Sequence, residues 1–263
     1  MSNTIKEKEG PIEQFYDAME VGLTTLSDNA AERMQARARR FMETIVDYKE
    51  LMMMYTCAMK EIQTKFEILN TEFSVRYRRN PIASITTRLK TTASITEKLA
   101  RYNCSLSVEN IEKYIHDVGG VRVICSYIDD IYLIADALLA QDDITLLRRK
   151  DYIANPKPNG YRPLHLIVTV PVFFADRKLD MKVEVQIRTI AMDFWASLEH
   201  QMKYKQEIPA QDEIAEELRL CAETIRQTDE RMLDIRKKIE AAADAEDEDD
   251  LLLEKLSRID IGI

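Results

Sequence analysis

The segment that most constrains the fold of this sequence lies between two acids, Asp117 and Glu184. Apolar runs at 121–125 and 182–187 predict β-strands beside these acids. A loop rich in Gly, Pro and Asn lies between the strands and carries basic residues and Tyr161. Carboxylates can bind a metal ion, Lys and Arg can bind phosphates, and an aromatic ring can stack on a base. The segment therefore predicts a metal-assisted nucleotide site on a β-sheet.

The alternation of apolar and polar residues predicts the strands around this site, and apolar residues spaced three or four apart predict the helices. Thr91 or Thr92 is the expected N-cap of the helix after the first strand, and Asp129 that of the helix at 131–139. The order of elements predicts an α+β fold with a mixed sheet of about five strands and long flanking helices. The predicted strands are 82–90, 121–127, 144–152, 164–172 and 179–187, and the predicted helices are 12–29, 31–73, 92–102, 108–115, 131–139, 189–204 and 209–242.

Three regions follow from these elements. Residues 1–75 form an N-terminal helical region, residues 76–205 the sheet domain, and residues 206–263 a C-terminal helix and an acidic tail. The final helix carries apolar residues close to a heptad pattern, and this stripe can pack either on the chain's own sheet or on another subunit. The stripe consists of Ile214, Leu218, Cys221, Ile225, Met232, Ile235 and Ile239.

Charge and cysteine usage narrow the classes of function. The net charge of −9 argues against a dedicated binder of double-stranded DNA. The basic stretch at 76–101, whose single acid is Glu97, suits an anionic small-molecule substrate, with a solvated basic face as the alternative.

The four cysteines form no CxxC pair, so we expect reduced thiols. Without an apolar run near the roughly 20 residues of a membrane span, and without a signal-peptide core, we expect a cytoplasmic protein.

A phosphate site is predicted at the start of the helix that follows the first strand. Arg88 and Lys90 point to one face of a strand because they are two residues apart. Ser94 and Lys98 share one face of the following helix because they are four residues apart. These four side chains can converge on a polyphosphate at the helix N-terminus, where the helix dipole favours anions.

The ordered set of motifs resembles the RelA/SpoT-type synthetase family, and most closely its RelQ-like small alarmone synthetases. The resemblance covers roughly residues 76–205 and implies a nucleotidyltransferase-like synthetase domain. It also implies transfer of pyrophosphate from ATP to the 3′-hydroxyl of GDP or GTP, which gives ppGpp or pppGpp and AMP in stringent-response signalling. The matching segments are 86–90, 94–98, 117–122, 148–152, 159–162 with His165, 184–189 and 194–200.

The resemblance assigns roles by position. By this resemblance, Asp117 would be a ligand of Mg²⁺. Glu184 would be either a metal ligand or the base that takes the proton of the 3′-hydroxyl. On the ATP side, Arg88 and Arg122 would hold the adenine between their guanidinium planes. The implied phosphate contacts are Lys90, Ser94, Lys98 and Lys150, and the implied contacts to GDP or GTP are Lys157, Asn159, Tyr161, His165 and Gln186, with Tyr161 stacking on guanine.

Some features depart from the family pattern. Pro163 stands where the family usually has Ser, and proline removes an amide donor and stiffens the loop beside the predicted guanine site. The loop before Asp117 and the N-terminal region are longer than in the family, and we find no separate hydrolase domain. The family further implies a homotetramer and possible regulation by single-stranded RNA or (p)ppGpp.

Two other functions remain open on the sequence. The first is a toxin-type relative that pyrophosphorylates the 3′ end of tRNA, which the acidic net charge and the intact acceptor loop disfavour. The second is a catalytically silent nucleotide- or RNA-sensing module, which the presence of both Asp117 and Glu184 disfavours.

Overall fold

The structure, a computed structural model, describes residues 28–77, 79–203 and 211–246. The N-terminal residues, almost all of the predicted helix at 12–29, Pro209 and residues 247–263 of the predicted acidic tail lie outside these residues. The chain separates into two compact units, residues 1–51 and residues 52–263. In the first unit the described residues form the beginning of a helix. The predicted region boundaries at 75 and 205 stay predictions.

The five predicted strands are all present, and each strand end lies within two residues of its predicted position. The first helix is uninterrupted over 50 residues. The extra length before Asp117 is partly taken up by a short helix. The elements are α1 (Asp28–Tyr77), β1 (Ile82–Leu89), α2 (Thr92–Ala100), α3 (Val108–Tyr114), β2 (Gly119–Cys125), α4 (Ile128–Leu139), β3 (Thr145–Asp151), β4 (Leu164–Phe173), β5 (Lys178–Thr189), α5 (Ile190–Lys203) and α6 (Gln211–Glu246).

The five strands form one mixed sheet in the order β1-β2-β5-β4-β3. Only β2 and β5 are parallel; the other neighbouring strands are antiparallel. Strand β5 is central, and its side chains alternate between a fully buried set and a set on the opposite face. Helix α4 packs on β2 and β5 through an apolar face that includes Ile131, Ile134 and Leu138. The fold is therefore α+β, as the sequence predicts.

Strand register aligns the polar face of the sheet into two neighbouring rows. In antiparallel and parallel pairs alike, side chains directly opposite each other lie on the same face. The predicted acceptor residues and the predicted ATP residues consequently share one surface. One row reads Lys150, His165, Gln186, Arg122 and Thr86, and the next reads Arg148, Ile167, Glu184, Gly120 and Arg88.

One of the two predicted caps forms, and the other prediction is wrong. The Thr91 hydroxyl accepts a hydrogen bond from the Ser94 amide at 3.3 Å and caps α2. Helix α4 begins at Ile128, so Asp129 lies inside its first turn and does not cap it. The Asp129 carboxylate instead accepts hydrogen bonds from Arg236 of α6, at 3.1 and 2.5 Å. A guanidinium partner and the helix dipole both stabilise an acid at this position.

The apolar stripe of α6 divides between two environments. Leu218 and Ile225 pack against a cluster that includes Ala222, whereas Met232, Ile235 and Ile239 are 49%, 48% and 63% exposed. The face that packs on the domain continues through the buried Asp229. The heptad pattern was read from large apolar residues, so it did not include Ala222 and Asp229. The heptad prediction therefore covered only part of this face. None of the described helices is both long and apolar enough to cross a membrane.

Candidate active site

A cavity of about 330 Å³ opens on the polar face of the sheet. Strands β1, β2 and β5 and the start of α2 supply its walls, because the register brings their polar side chains to one place. Most of the side chains predicted to contact ATP and the metal line this cavity together. They are Arg88, Lys90, Ser94, Asp117, Arg122 and Glu184, with Gln186 from the predicted acceptor set, and the cavity is also lined by Thr86, Gly120 and Val121.

Asp117 is held by two lysines at the edge of this cavity. Lys90 Nζ lies 2.8 Å from Oδ2, and Lys98 Nζ lies 2.8 Å from Oδ1. Burial raises the pKa of the Asp117 carboxyl, but hydrogen bonds and charge from the two ammonium groups outweigh it, so the net pKa is lowered. The carboxylate is therefore ionised at neutral pH. A cation that binds Asp117 competes with these lysines, and each released lysine becomes available to a phosphate.

Glu184 is tied to the predicted acceptor residues. Its Oε1 lies 3.2 Å from His165 Nδ1, and its Oε2 accepts a hydrogen bond from Gln186 Nε2 at 2.9 Å. Burial raises the pKa of Glu184, yet its interactions with His165 and its hydrogen bond from Gln186 lower it by more, so the net pKa is below its ordinary value. Glu184 is thus an ionised carboxylate whose orientation is set by two neighbours.

The Tyr161 hydroxyl extends this arrangement. It lies 2.9 Å from His165 Nε2. Burial raises the pKa of Tyr161, so the phenol keeps its proton and can donate to Nε2. The tautomer of His165 with its proton on Nδ1 then donates to Glu184 and accepts from Tyr161, which satisfies all three groups. The acceptor side is therefore connected to the central carboxylate by side-chain hydrogen bonds.

The Tyr161 ring, which the resemblance implies stacks on guanine, is not freely exposed. It is half-buried and packs against a cluster of Trp195, Ala196 and Ala222. Lys157 Nζ lies 4.6 Å from the centre of the Tyr161 ring and 4.7 Å from that of Tyr152. The ring is buried because α5 and α6 close behind the loop, which local composition could not reveal. A base that stacks on the ring face beneath Lys157 must displace that ammonium group.

Backbone and amide hydrogen bonds shape the rest of the acceptor loop. The Tyr152 amide donates to the carbonyl oxygen of Pro163 at 3.2 Å, which closes the base of the loop. Asn159 Oδ1 accepts from the Tyr161 amide at 3.3 Å, and Asn159 Nδ2 donates to Glu199 of α5 at 3.0 Å. Asn159 thus orients the loop, and Pro163 contributes its carbonyl oxygen to the closure of the loop.

Two residues without a predicted role connect the acceptor side to the ATP side. Arg188, only 2% exposed, donates to Gln186 Oε1 at 2.7 Å and to Asp193 Oδ1 at 3.2 Å. The same Asp193 oxygen lies 3.5 Å from Arg122. Together with Tyr161 and His165 these contacts form a continuous chain through Glu184. The alternation of 184, 186 and 188 on one face of β5 was the signal that could have indicated Arg188.

Lys150 and Lys98 differ from the other predicted phosphate contacts because neither lines the cavity. Lys150 is exposed on the edge strand β3, where it lies opposite His165 in register. Lys98 is half-buried and reaches Asp117 from α2. Arg148, which had no predicted role, lies one row from Lys150 and opposite Ile167. The cations of this surface therefore form a partly buried group near Asp117 and an exposed group on β3.

The donor set suits a hard divalent cation. Within residues 28–77, 79–203 and 211–246, no group of three or more His, Cys, Asp and Glu residues could hold a metal ion. Mg²⁺ usually takes only one or two carboxylates, and substrate phosphates and water complete its coordination. Asp117 and Glu184 are both ionised and line the same cavity. They fit a site of that kind, with substrate as the source of the other ligands.

Comparison with known proteins places this geometry in context. A family model described as a region found in RelA / SpoT proteins matches residues 87–209. The GTP pyrophosphokinase YwaC of Bacillus subtilis is 42% identical over 194 residues, which are 74% of this chain and 92% of that protein. The crystal structure of small alarmone synthetase 2 from Bacillus subtilis has 43% identity and a TM-score of 0.66, and the match covers 73% of this chain and 99% of that chain.

A second solved structure is similar over the same share of the chain. It is small alarmone synthetase 1 from Bacillus subtilis bound to its product pppGpp, with 33% identity, a TM-score of 0.67 and coverage of 73% of this chain and 97% of that chain. These matches extend over nearly the full length of the relatives. The chain therefore belongs to the RelA/SpoT family, as one of its small alarmone synthetases.

Proposed function

We propose that the chain transfers pyrophosphate from ATP to the 3′-hydroxyl of GDP or GTP and thereby makes ppGpp or pppGpp and AMP. The observation that carries this proposal is the position of Glu184. It lines the cavity that also holds Arg88, Lys90 and Arg122, and it is hydrogen-bonded to the His165–Tyr161 pair of the acceptor loop. One carboxylate thus stands between the cation-lined cavity and the aromatic side chains of the acceptor loop, where a 3′-hydroxyl would have to meet a polyphosphate.

The reaction forms one bond and breaks one bond. The 3′-oxygen of the guanine nucleotide attacks the β-phosphorus of ATP, the bond from that phosphorus to the oxygen it shares with the α-phosphorus breaks, and AMP leaves. In-line transfer of this kind depends on positioning and on neutralisation of charge. The two guanidinium groups of Arg88 and Arg122 suit the adenine side, and Lys90, Ser94 and Lys98 suit the phosphates.

Asp117 and Glu184 would hold Mg²⁺. The bound ion would neutralise the phosphate oxygens and favour deprotonation of the attacking hydroxyl. Both carboxylates are ionised before substrate arrives, so no proton must leave for the ion to bind. The lowered pKa makes Glu184 a good ligand and a weak base on its own. In the transfer step the Glu184 carboxylate would accept the 3′-proton.

Several finer assignments belong to this proposal. We infer a homotetramer, and the exposed apolar residues Met232, Ile235 and Ile239 on α6 support contact with another subunit. Static light scattering at micromolar concentration tests this inference, and a monomeric mass would contradict it.

Because the substrates are intracellular nucleotides, we place the activity in the cytoplasm. Single-stranded RNA or (p)ppGpp would act as regulators, and their addition to the transfer assay would test that role.

The experiment for the activity compares acceptors. The purified protein is incubated with ATP labelled in its β-phosphate, Mg²⁺ and GDP, GTP or tRNA, and the products are separated by nucleotide chromatography. We expect equal amounts of AMP and of a guanine nucleotide bearing the labelled pyrophosphate, with no label on tRNA. Label on tRNA alone would contradict the proposed acceptor, and the absence of AMP in every reaction would contradict transferase activity.

A further inference from the structure

Helix α6 lies directly against the acceptor loop. Gly160 has a φ of +88°, a conformation that side chains other than glycine rarely adopt. A Cβ added to Gly160 would lie only 2.4 Å from the Cβ of Ala222 on α6. Real Cβ atoms do not approach this closely, so the loop and the helix meet through a glycine and an alanine. Any larger side chain at Ala222 must move one of the two elements.

A charged contact lies beside this close approach. Arg162 Nη2 donates to Glu223 Oε2 at 3.0 Å, and both side chains are partly buried. Arg226, one turn further along α6, donates to Glu223 Oε1 and holds it in place. The two residues that flank Tyr161 in sequence are therefore both fixed by α6. Gly160 is fixed by shape and Arg162 by charge.

Helix α6 is itself anchored to the sheet domain. Trp195 Nε1 of α5 donates to the carbonyl oxygen of Leu218 at 2.9 Å. Further along the helix, the buried Thr189 hydroxyl donates to Asp229 at 2.6 Å. These anchors lie four residues before and seven residues after Ala222, so the contact with Gly160 lies on a segment that is held on both sides. A rigid support of this kind can set the position of a loop.

We propose that Ala222 and Glu223 are positioning residues of the acceptor site, through which α6 sets the place of Tyr161 and thereby the affinity for the guanine nucleotide. This inference rests on the proposed function and deepens it. Neither residue lines the cavity on the ATP side. Displacement of Gly160 and Arg162 moves the Tyr161 ring and its hydroxyl, which is hydrogen-bonded to His165. It leaves the contacts of Lys90 and Lys98 with Asp117 unchanged.

The first test is Ala222→Leu, with Ala215→Leu at an exposed position of the same helix as the matched control. Because a displacement of about 1 Å near reacting groups costs up to about 100-fold, we expect the KM for GDP to rise about tenfold or more. The KM for ATP should stay within about twofold of the parent value, since no ATP-side contact changes. Equal changes in both KM values, or no change in a folded variant, would overturn the inference.

The second test needs no large side chain in a packed region. Arg162→Met, Glu223→Gln and the double variant form a cycle in which the KM for GDP is measured against the KM for ATP. Groups in direct contact give non-additive effects, whereas independent groups add. Non-additive changes confined to GDP support the inference, and additive changes overturn it. Thermal melting of each variant separates this result from loss of folding.

Calorimetric binding of GDP separates the inference from the proposed activity. If the parent protein binds GDP but transfers no pyrophosphate, the proposed function fails while the inference is still tested by the binding constant. Weaker GDP binding by Ala222→Leu than by Ala215→Leu supports the inference in that case. Equal GDP binding by these two folded variants overturns it, whatever the transfer activity.

Discussion

The two sides of the active site are organised differently. On the ATP side, the Asp117 carboxylate is saturated by Lys90 and Lys98, so ligands must replace existing ion pairs. On the acceptor side, Tyr161, His165 and Glu184 already form a hydrogen-bonded series. The difference indicates that the hydrogen bonds of the acceptor side are preformed, although a base that stacks beneath Lys157 must still displace its ammonium group. The ATP side, in contrast, exchanges protein contacts for contacts to phosphate and metal.

The largest effect is expected from Asp117→Asn. An amide removes the charge that holds a metal ion and leaves two lysines without their counter-charge. Metal-ion stabilisation is worth several kcal/mol, so kcat should fall at least about a hundredfold. Asp136→Asn is a suitable control because Asp136 is exposed and its ion pair to Arg149 is 3.6 Å long. Initial rates at varied Mg²⁺ concentration check the prediction, and a variant with unchanged Mg²⁺ dependence would remove Asp117 from the site.

Tyr161→Ala should affect the two substrates unequally. The lost ring contact is worth ~1–3 kcal/mol, which corresponds to about 5- to 150-fold in affinity for the guanine nucleotide. The loss of the hydroxyl also leaves His165 without its partner. Binding of ATP should change little. Calorimetry with each nucleotide measures the contrast, with Tyr77→Ala at an exposed position as control. Equal losses for both nucleotides would remove the distinction between the two sides.

The cations of the sheet surface provide a smaller and graded effect. Lys98→Met removes a partner of Asp117, so the KM for ATP should rise about tenfold, as expected for a charge-assisted hydrogen bond. Lys150→Ala removes an exposed charge worth roughly 1 kcal/mol or less, so its effect should stay within about fivefold. Steady-state kinetics with ATP varied compare the two variants. A larger effect from Lys150 would indicate that β3 approaches the polyphosphate in the substrate complex.

The smallest effect concerns stability in acid. The pKa of Glu184 is lowered in the folded state. At pH values between this lowered pKa and the ordinary pKa of glutamate, the folded protein therefore binds fewer protons than the unfolded protein. The stabilisation is complete above that range and is lost as pH falls through the lowered pKa. Urea unfolding between pH 6 and pH 3 should therefore show a shallower fall in the free energy of unfolding for Glu184→Gln. Identical slopes for variant and parent would contradict the assigned hydrogen bonds.

The sequence predicts the sheet and most of the cavity because both depend on local patterns. Alternation along β5 and the strand–helix pair around Arg88 and Ser94 place their side chains without knowledge of distant residues. The predictions that failed or were incomplete depend on contacts across the chain. The Asp129 carboxylate accepts hydrogen bonds from Arg236 of α6 and caps no helix, and the Tyr161 ring packs against residues of α5 and α6. Such partners lie between 34 positions (Tyr161 to Trp195) and 107 positions (Asp129 to Arg236) away, where spacing rules carry no information.

The same reasoning explains which site residues went unnoticed. Arg188 and Asp193 are joined through an ion pair that forms only when α5 starts directly after β5. Ala222 has no chemical group to attract attention, and its importance lies in the close approach of Gly160. Residues that position others are recognised by distances, whereas residues that carry chemistry are recognised by type.

The most direct test of the account is the rate of Glu184→Gln at saturating ATP, GDP and Mg²⁺. Glutamine has nearly the same shape as glutamate, but it has neither the charge to hold the ion nor the basicity to accept the 3′-proton. Loss of a general base alone typically costs ~10²–10⁴-fold, and impaired metal binding adds to that cost. The account predicts a variant that melts like the parent, still binds both nucleotides and forms almost no product. A variant that melts like the parent and keeps its rate within about threefold, far inside the range expected for a lost base, would show that Glu184 is not the centre of the site.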